Sequence, residues 1–160
     1  MPVLTTGADR DALTFTLEAE FAASPEKVWQ LWEDPRLLEK WWGPPTWPAT
    51  FVRHELRPGG ESRYYMTGPD GTRAAGWWST DSTEAPSTFT FRDGFAGDDG
   101  EPVDPEDYSV NTVVLTASGR STRMELVAVH RTLEQLERVL EMGMAEGMTE
   151  AMNQIDALLA

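Results

Sequence analysis

The chain has 160 residues, 40% of them hydrophobic, a length and composition that suit one domain with its own core. Its 27 acidic and 13 basic residues give a net charge of −14, which repels phosphate backbones and anionic bilayers and argues against a nucleic-acid or membrane partner. The absence of cysteine excludes disulfides, thiolate metal sites and cysteine nucleophiles. With no basic-then-apolar start and no apolar run of about 20 residues, a soluble cytoplasmic protein is expected.

Residues 1–11 read as a loose arm of a single domain spanning 1–160. Residues 13–21 alternate apolar and polar, the period of a half-buried strand. Ser24-Pro25 and Asp34-Pro35 then mark two helix starts. The Ser and Asp side chains can each accept from a free amide of the first turn, and proline suits the fixed φ of the next position. Val28 with Trp32, and Leu38 with Trp42, lie four apart and give each short helix an apolar face; Gly43-Pro44-Pro45 ends the second. From Thr50, strand-like segments separated by turn signals recur at 51–56, 62–67, 73–80, 88–91, 112–116 and 123–129, completing a count of seven strands. Between Arg92 and Arg120 there is no basic residue, and the Gly/Pro-rich acidic stretch 94–106 reads as a mobile loop outside the sheet.

At Thr132 the period changes from 2 to 3.6. Leu133, Leu136, Leu140, Met144, Met148, Ala151, Ile155 and Leu158 trace one face of a helix of about 27 residues, roughly 40 Å long. Such a helix needs a sheet curled around it to bury its stripe. The predicted fold is therefore α+β, a seven-stranded curved antiparallel sheet gripping a long C-terminal helix in the order β-α-α-β-β-β-β-β-β-α, with a cavity between the two.

Several reaction classes lack their signatures. No H-E-x-x-H, G-x-S-x-G, G-x-G-x-x-G or G-x-x-x-x-G-K-[ST] pattern occurs, so neither a metal nor a cofactor is expected. Four residues could do acid–base chemistry or orient a ligand: His54, Tyr64, Glu125 and His130. His54 alternates with Val52 and Leu56 and either faces the cavity or is a surface or satisfied core histidine. Tyr64 and Met66 share a strand face opposite Tyr65, and Glu125 is out of phase with Met124 and Leu126, which favours solvent. Met144, Met148 and Met152 recur every four residues, a stripe of adaptable apolar side chains. Gly143 and Gly147 stand beside it, each costing about 1 kcal/mol of helix propensity, offset either by close sheet contact or by room left for a ligand. Trp41 and Trp42 point about 100° apart, so one should pack on the sheet and the other edge the cavity mouth.

The order of elements, together with Ser24-Pro25-Glu26-Lys27-Val28-Trp29, Trp41-Trp42-Gly43-Pro44, Glu55-Leu56-Arg57-Pro58-Gly59-Gly60 and Glu146-Gly147-Met148, resembles the START-like (SRPBCC) superfamily. Within it, these motifs resemble the bacterial branch named after the activator of the Hsp90 ATPase. The likeness spans about residues 13–159. It implies a helix-grip fold around a deep hydrophobic cavity, in a superfamily of lipid carriers, hormone receptors, cyclases and aromatases, and co-chaperone domains. Ser62 departs from the branch, which usually has an aromatic there.

The leading expectation is a binding protein, monomer or homodimer, for a small hydrophobic or aromatic molecule. The candidate ligand-binding residues are Trp42, His54, Tyr64, Met66, Trp77, Phe89, Phe91, Met124, Met144, Gly147 and Met148. The alternatives are a cyclase- or aromatase-like enzyme using the same cavity and a module that binds a chaperone partner. Whether turnover occurs stays open.

Overall fold

The computed structural model describes residues 2–160. In chain order it contains β1 (Val3–Asp9), β2 (Thr14–Phe21), α1 (Pro25–Glu33), α2 (Pro35–Leu38), β3 (Ala49–His54), β4 (Glu61–Thr67), β5 (Arg73–Glu84), β6 (Thr88–Ala96), β7 (Ser109–Ser118), β8 (Ser121–Val129), α3 (Leu133–Glu141), α4 (Met144–Asn153) and α5 (Ile155–Leu159). The strands form one antiparallel sheet in the order β1-β2-β8-β7-β6-β5-β4-β3. This is an α+β fold with C-terminal helices on an antiparallel sheet, consistent with a helix grip. No described helix is long and apolar enough to cross a membrane.

Both short helices start where the capping residues place them. The Ser24 hydroxyl accepts from the Lys27 amide at 3.3 Å and Asp34 Oδ1 from the Arg36 amide at 2.9 Å, each with proline at the first helical position. The apolar face of α1 carries Trp32, which is fully buried. Its ring meets Trp41 at 4.7 Å, Phe89 at 5.1 Å, Trp42 at 5.9 Å and Trp78 at 6.1 Å between centroids, mostly edge to face or tilted, as aromatic quadrupoles prefer. The Trp41 indole N–H donates to the Leu31 carbonyl at 3.0 Å, tying the turn after α2 to α1. On β3, an edge strand, Phe51 donates its amide to Glu39 at 2.7 Å and accepts from Arg36 at 2.9 Å, so α2 satisfies backbone groups that an edge leaves open.

Three expectations need correction. The sheet has eight strands, not seven, because β1 lies in the stretch read as a loose arm; Met1 is outside the described residues. Six of the seven β1 residues are exposed, so no apolar alternation signals the strand, and antiparallel pairing from Thr5↔Glu18 to Asp9↔Thr14 holds it. The acidic stretch does not begin as a loop. Gly94, Phe95 and Ala96 pair with Trp77, Gly76 and Ala75 of β5, and beyond them Ala96 bridges Pro102. Lastly, the long helix is three segments. Gly143 adopts φ +85°, a left-handed conformation that ends α3 and that side-chain-bearing residues rarely take. A second break at Gln154 places its amide where it donates to the carbonyls of Gly43 (2.9 Å), Ala151 (3.1 Å) and Trp41 (3.3 Å), anchoring the C-terminus to the double-tryptophan turn.

Trp32→Ala is expected to lower unfolding free energy in urea by about 3–5 kcal/mol, since it empties a site no neighbour can fill. Leu133→Ala, at a side chain 44% exposed, should change it by less than about 0.5 kcal/mol. Similar losses in the two variants would show that the cluster does not centre on Trp32.

Candidate functional site: a cavity between the sheet and the C-terminal helices

The helices cover the inner face of the sheet unequally. At one end α1 and the Trp41-Trp42 turn fill it with aromatic rings. At the other, α3 and α4 leave a cavity of about 530 Å³, within the roughly 300–1,000 Å³ typical of small-molecule sites. Phe15, Trp41, Trp42, Met66, Met148 and Met152 supply much of its apolar wall. Phe95 and Met142, 43% and 66% exposed, mark its rim.

Strand alternation and register decide which side chains reach the lumen. On β6 the inward positions are Phe89, Phe91, Asp93 and Phe95. On β7 they are Leu115, Val113, Asn111 and Ser109, and along β8 and just past it Met124, Leu126, Ala128 and His130. Cross-strand pairing aligns these into rows. Phe89 lies opposite Val113 and Val113 opposite Leu126, an apolar row. Phe91, Asn111 and Ala128 form a mixed row. Asp93 pairs with Ser109, and His130 follows Val129, whose partner is Val110, so the third row is polar throughout. The inner face thus turns from apolar to polar at the same level on three neighbouring strands.

Tyr64 joins this row from β4. Its cross-strand partner is Gly76, where a Cβ would collide with the phenol, so the missing side chain lets Tyr64 lie across β5 and donate to Asp93 Oδ1 at 3.3 Å. Burial pushes the Asp93 carboxyl up to about 7, opposed by the Tyr64 hydrogen bond. Burial, and then the Asp93 charge, push the Tyr64 phenol well above its ordinary value. The indole N–H of Trp42 opposes that shift, although it has no partner at hydrogen-bonding distance.

His130 is 5% exposed, and neither ring nitrogen has a hydrogen-bond partner among the described residues. Neighbouring Gln135 spends both amide protons and one lone pair of its oxygen on other groups, and the second lone pair stays able to accept from the imidazole. Gln135 donates to Asp107 Oδ1 at 2.5 Å and to the Tyr108 carbonyl at 3.2 Å, and accepts from the Arg131 amide at 2.7 Å. Burial lowers the His130 pKa; Gln135 opposes this, Arg138 reinforces it and Asp107 opposes it. Asn111 donates to the Ser109 hydroxyl at 3.1 Å.

Of the eleven ligand-binding candidates, Trp42, Tyr64, Met66, Met144, Gly147 and Met148 line the cavity. Phe89 and Phe91 lie instead beneath Trp32, with centroids at 5.1 and 6.3 Å, and Met124 is fully buried in the core. Trp77 faces the other side of β5, 6.4 Å from the Tyr108 ring. His54 sits away from the lumen. Its Nε2 lies 2.7 Å from the Trp32 carbonyl, which can only accept, so that nitrogen carries the proton and Nδ1 accepts from the Ser62 hydroxyl at 2.8 Å. Burial lowers its pKa, opposed by the Trp32 carbonyl, Glu33 and Asp34. Ser62, where the branch usually has an aromatic, is fully buried as the partner of this histidine. Trp41 and Trp42 do not divide as expected: both are buried, at 0% and 6% exposure, and both reach the lumen. Glu125 is exposed on the outer face.

The sequence reading missed Asp93, Ser109 and Asn111 as wall residues. The signal for Asp93 was present in Phe89-Thr-Phe91-Arg-Asp93-Gly-Phe95, whose alternation carries the aspartate inward, but the acidic composition beyond it suggested a loop. Among the described residues no group of three or more His, Asp or Glu is placed to hold a metal.

No curated protein matches the chain. Among solved structures, protein Ms6760 from Mycobacterium smegmatis is 47% identical, covers 99% of this chain and 98% of its own, and superposes with a TM-score of 0.92. A protein from Arthrobacter aurescens is 51% identical over 98% of this chain and 91% of its own, with a TM-score of 0.93. One from Rhodobacter sphaeroides, 25% identical over 97% of each chain, gives 0.83. Residues 22–160 match the family described as activator of Hsp90 ATPase homolog 1-like protein, and this chain belongs to that family, within the SRPBCC, or START-like, superfamily.

Proposed function

We propose that this protein binds a small, mostly apolar or aromatic molecule in the cavity between the inner face of the sheet and α3–α4. The observation that carries this reading is the cavity itself. About 530 Å³, open to solvent past Phe95 and Met142, is held here between tryptophan, phenylalanine and methionine side chains, the concave, mostly apolar lining typical of small-molecule sites. The methionines suit a ligand of irregular shape, because an unbranched thioether repacks at little cost. Gly147 supports the same reading. A Cβ at that position meets nothing within 4 Å and would enter the lumen, so room for a ligand, rather than close sheet contact, accounts for the glycine.

A second reading has its own observation. Asp93, held near neutrality and hydrogen-bonded to Tyr64 in the cavity wall, could serve as a general acid or base toward a bound substrate, as a cyclase- or aromatase-like enzyme would require. Native mass spectrometry of protein purified from its own host separates the two, a retained molecule being intact substrate-like ligand in the first case and a substrate–product mixture in the second.

Gly147→Leu is expected to weaken binding of the uncharged dye N-phenyl-1-naphthylamine by about tenfold or more, measured by fluorescence titration, because its side chain fills the lumen. Gly147→Ala should leave the dye bound and raise the melting temperature by about 2–4 °C, the equivalent of about 1 kcal/mol of helix propensity. A leucine variant that binds the dye as well as the parent would rule out this cavity as the site.

Asp93 makes a pH-dependent prediction. Its folded pKa of about 7 lies above the unfolded value near 3.9, so the folded state keeps a proton that the unfolded chain releases. Its contribution is fully present below about pH 4 and is lost as the pH rises through 7. The two histidines act with the opposite sign. Their folded values are lowered, so their contribution is present above about pH 6.5 and is lost as the pH falls. Comparing the parent with Asp93→Asn isolates the aspartate. The variant should be more stable at pH 8, on the order of 2 kcal/mol allowing for solvent in the cavity, and close to the parent at pH 4, by urea unfolding. A variant less stable than the parent at pH 8 would contradict burial of the charge.

A further inference from the structure

We infer that the molecule this cavity takes is an organic amine, an apolar or aromatic body carrying an ammonium group, and that Asp93 and Asn111 on the cavity wall receive that group. The inference rests on the cavity-binding reading and adds the ligand's chemical class to it. Asp93 Oδ1 accepts from Tyr64 at 3.3 Å, and the Asn111 amide nitrogen lies 3.4 Å from the Ser109 carbonyl and 3.1 Å from its hydroxyl. A carbonyl can only accept, so the Asn111 nitrogen belongs on that side and its oxygen is turned away from it. Two acceptors are then left without a partner among the described residues, Asp93 Oδ2 and Asn111 Oδ1. Both keep accessible surface on residues that line the cavity, whereas the His130 nitrogens and the Trp42 indole N–H are fully covered. Register makes the two acceptors neighbours. Asp93 lies opposite Ser109 and Phe91 opposite Asn111, so Asp93 and Asn111 occupy diagonal positions on one face of β6 and β7.

A pair of free acceptors suits a group that donates more than once and accepts nothing, which describes an ammonium. Charge selects the same group. Asp93 makes no ion pair among the described residues, and burial with no cation beside it pushes its carboxyl up to about 7. A buried carboxylate is ordinarily paired, but the cation on this wall, Arg138, already spans both Asp107 oxygens at 3.1 and 2.9 Å. The missing counter-charge is therefore one that enters the cavity. The net charge of −14 favours the approach of a cation, and the rings of Trp41, Trp42 and Tyr64 on the same wall attract one through their faces. An anion would meet Asp93 and Asp107 instead. The rest of the ligand is apolar, to match Met148 and Met152.

Four probes that share a 1-naphthylmethyl group test this on the full chain at pH 8, above the Asp93 value of about 7: 1-methylnaphthalene, 1-naphthalenemethanol, 1-naphthylmethylamine and 1-naphthylacetate, titrated by tryptophan fluorescence. The amine should bind about tenfold tighter than 1-methylnaphthalene, the alcohol less tightly than the amine, and the carboxylate most weakly. In Asp93→Asn, which keeps the shape and an acceptor for Tyr64, 1-methylnaphthalene binding should persist while the amine's advantage falls below about twofold. Proton release gives a readout on the unmutated protein, independent of variant folding. At pH 7 Asp93 is about half protonated, and an ammonium beside it draws it to the carboxylate, so calorimetry in buffers of different ionisation enthalpy should show up to about half a proton released per amine bound and none per 1-methylnaphthalene. The other titratable groups on the wall stand away from that pH. Tyr64 is pushed up and His130 down by burial, Asp107 is lowered because Gln135 and Arg138 outweigh its burial, and Tyr108 and Arg138 are of types that ionise far above 7. An amine no tighter than 1-methylnaphthalene, tighter binding of the alcohol or the carboxylate, an amine preference that survives in Asp93→Asn, or amine binding without proton release overturns this inference while leaving the cavity reading intact. Failure of all four probes to bind overturns both.

Discussion

The burial of Trp32 is the constraint on which the arrangement depends. One ring, projecting from the last turn of α1, touches the double-tryptophan turn on one side and the aromatic residues of β5 and β6 on the other. It can do so only if α1 lies across the inner face of the sheet at the level of Phe89 and Phe91. That choice of level divides the inner face. The end beneath α1 is solid, and the helical cover of the other end comes from α3 and α4, whose inward side chains there are largely methionine, glycine and alanine. The cavity is the part of the inner face that the aromatic cluster borders but does not fill.

The same division appears along the strands. Proceeding along β6, β7 and β8 away from α1, each strand's inward positions change from Phe, Val and Leu to Asp, Ser and His within two rows. Antiparallel pairing brings these changes to one level, although they lie in three separate stretches of sequence. A polar residue at one inward position could be a local accommodation. Three aligned in register, with Tyr64 reaching the first of them over a glycine, make a surface with chemical direction, apolar at the α1 end and hydrogen-bonding at the other.

Much of the fold was legible in the sequence because it rests on local signals: proline after a capping side chain, alternation of period 2, and the change to 3.6 at Thr132. What escaped had no local signal or a misleading one. Strand β1 is held by backbone pairing with six exposed side chains, so its sequence carries no period. Gly143 fits an uninterrupted helical stripe in sequence, and only its left-handed φ reveals that it ends one helix and starts another. His54 alternated as a cavity residue should, but a buried serine opposite and a helix carbonyl above turned it into a clasp between α1 and the sheet. The site was half legible: the aromatic and thioether wall could be read from spacing, whereas the polar row required register, which a single sequence does not contain.

The break at Gly143 gives the cavity its roof. On α3, residues Gln135, Arg138, Val139 and Met142 line the lumen, and on α4, Met144, Gly147, Met148, Ala151 and Met152; each set follows the spacing of one helical face. In one straight helix, at about 100° per residue, these two sets would fall on nearly opposite faces and could not both line the lumen. Separated by a left-handed residue, they can be set independently, and their compositions differ. The α3 stripe begins with an amide and a guanidinium, next to Asp107 and His130; the α4 stripe is entirely apolar. Roof and floor thus both distinguish a polar part of the cavity from an apolar one.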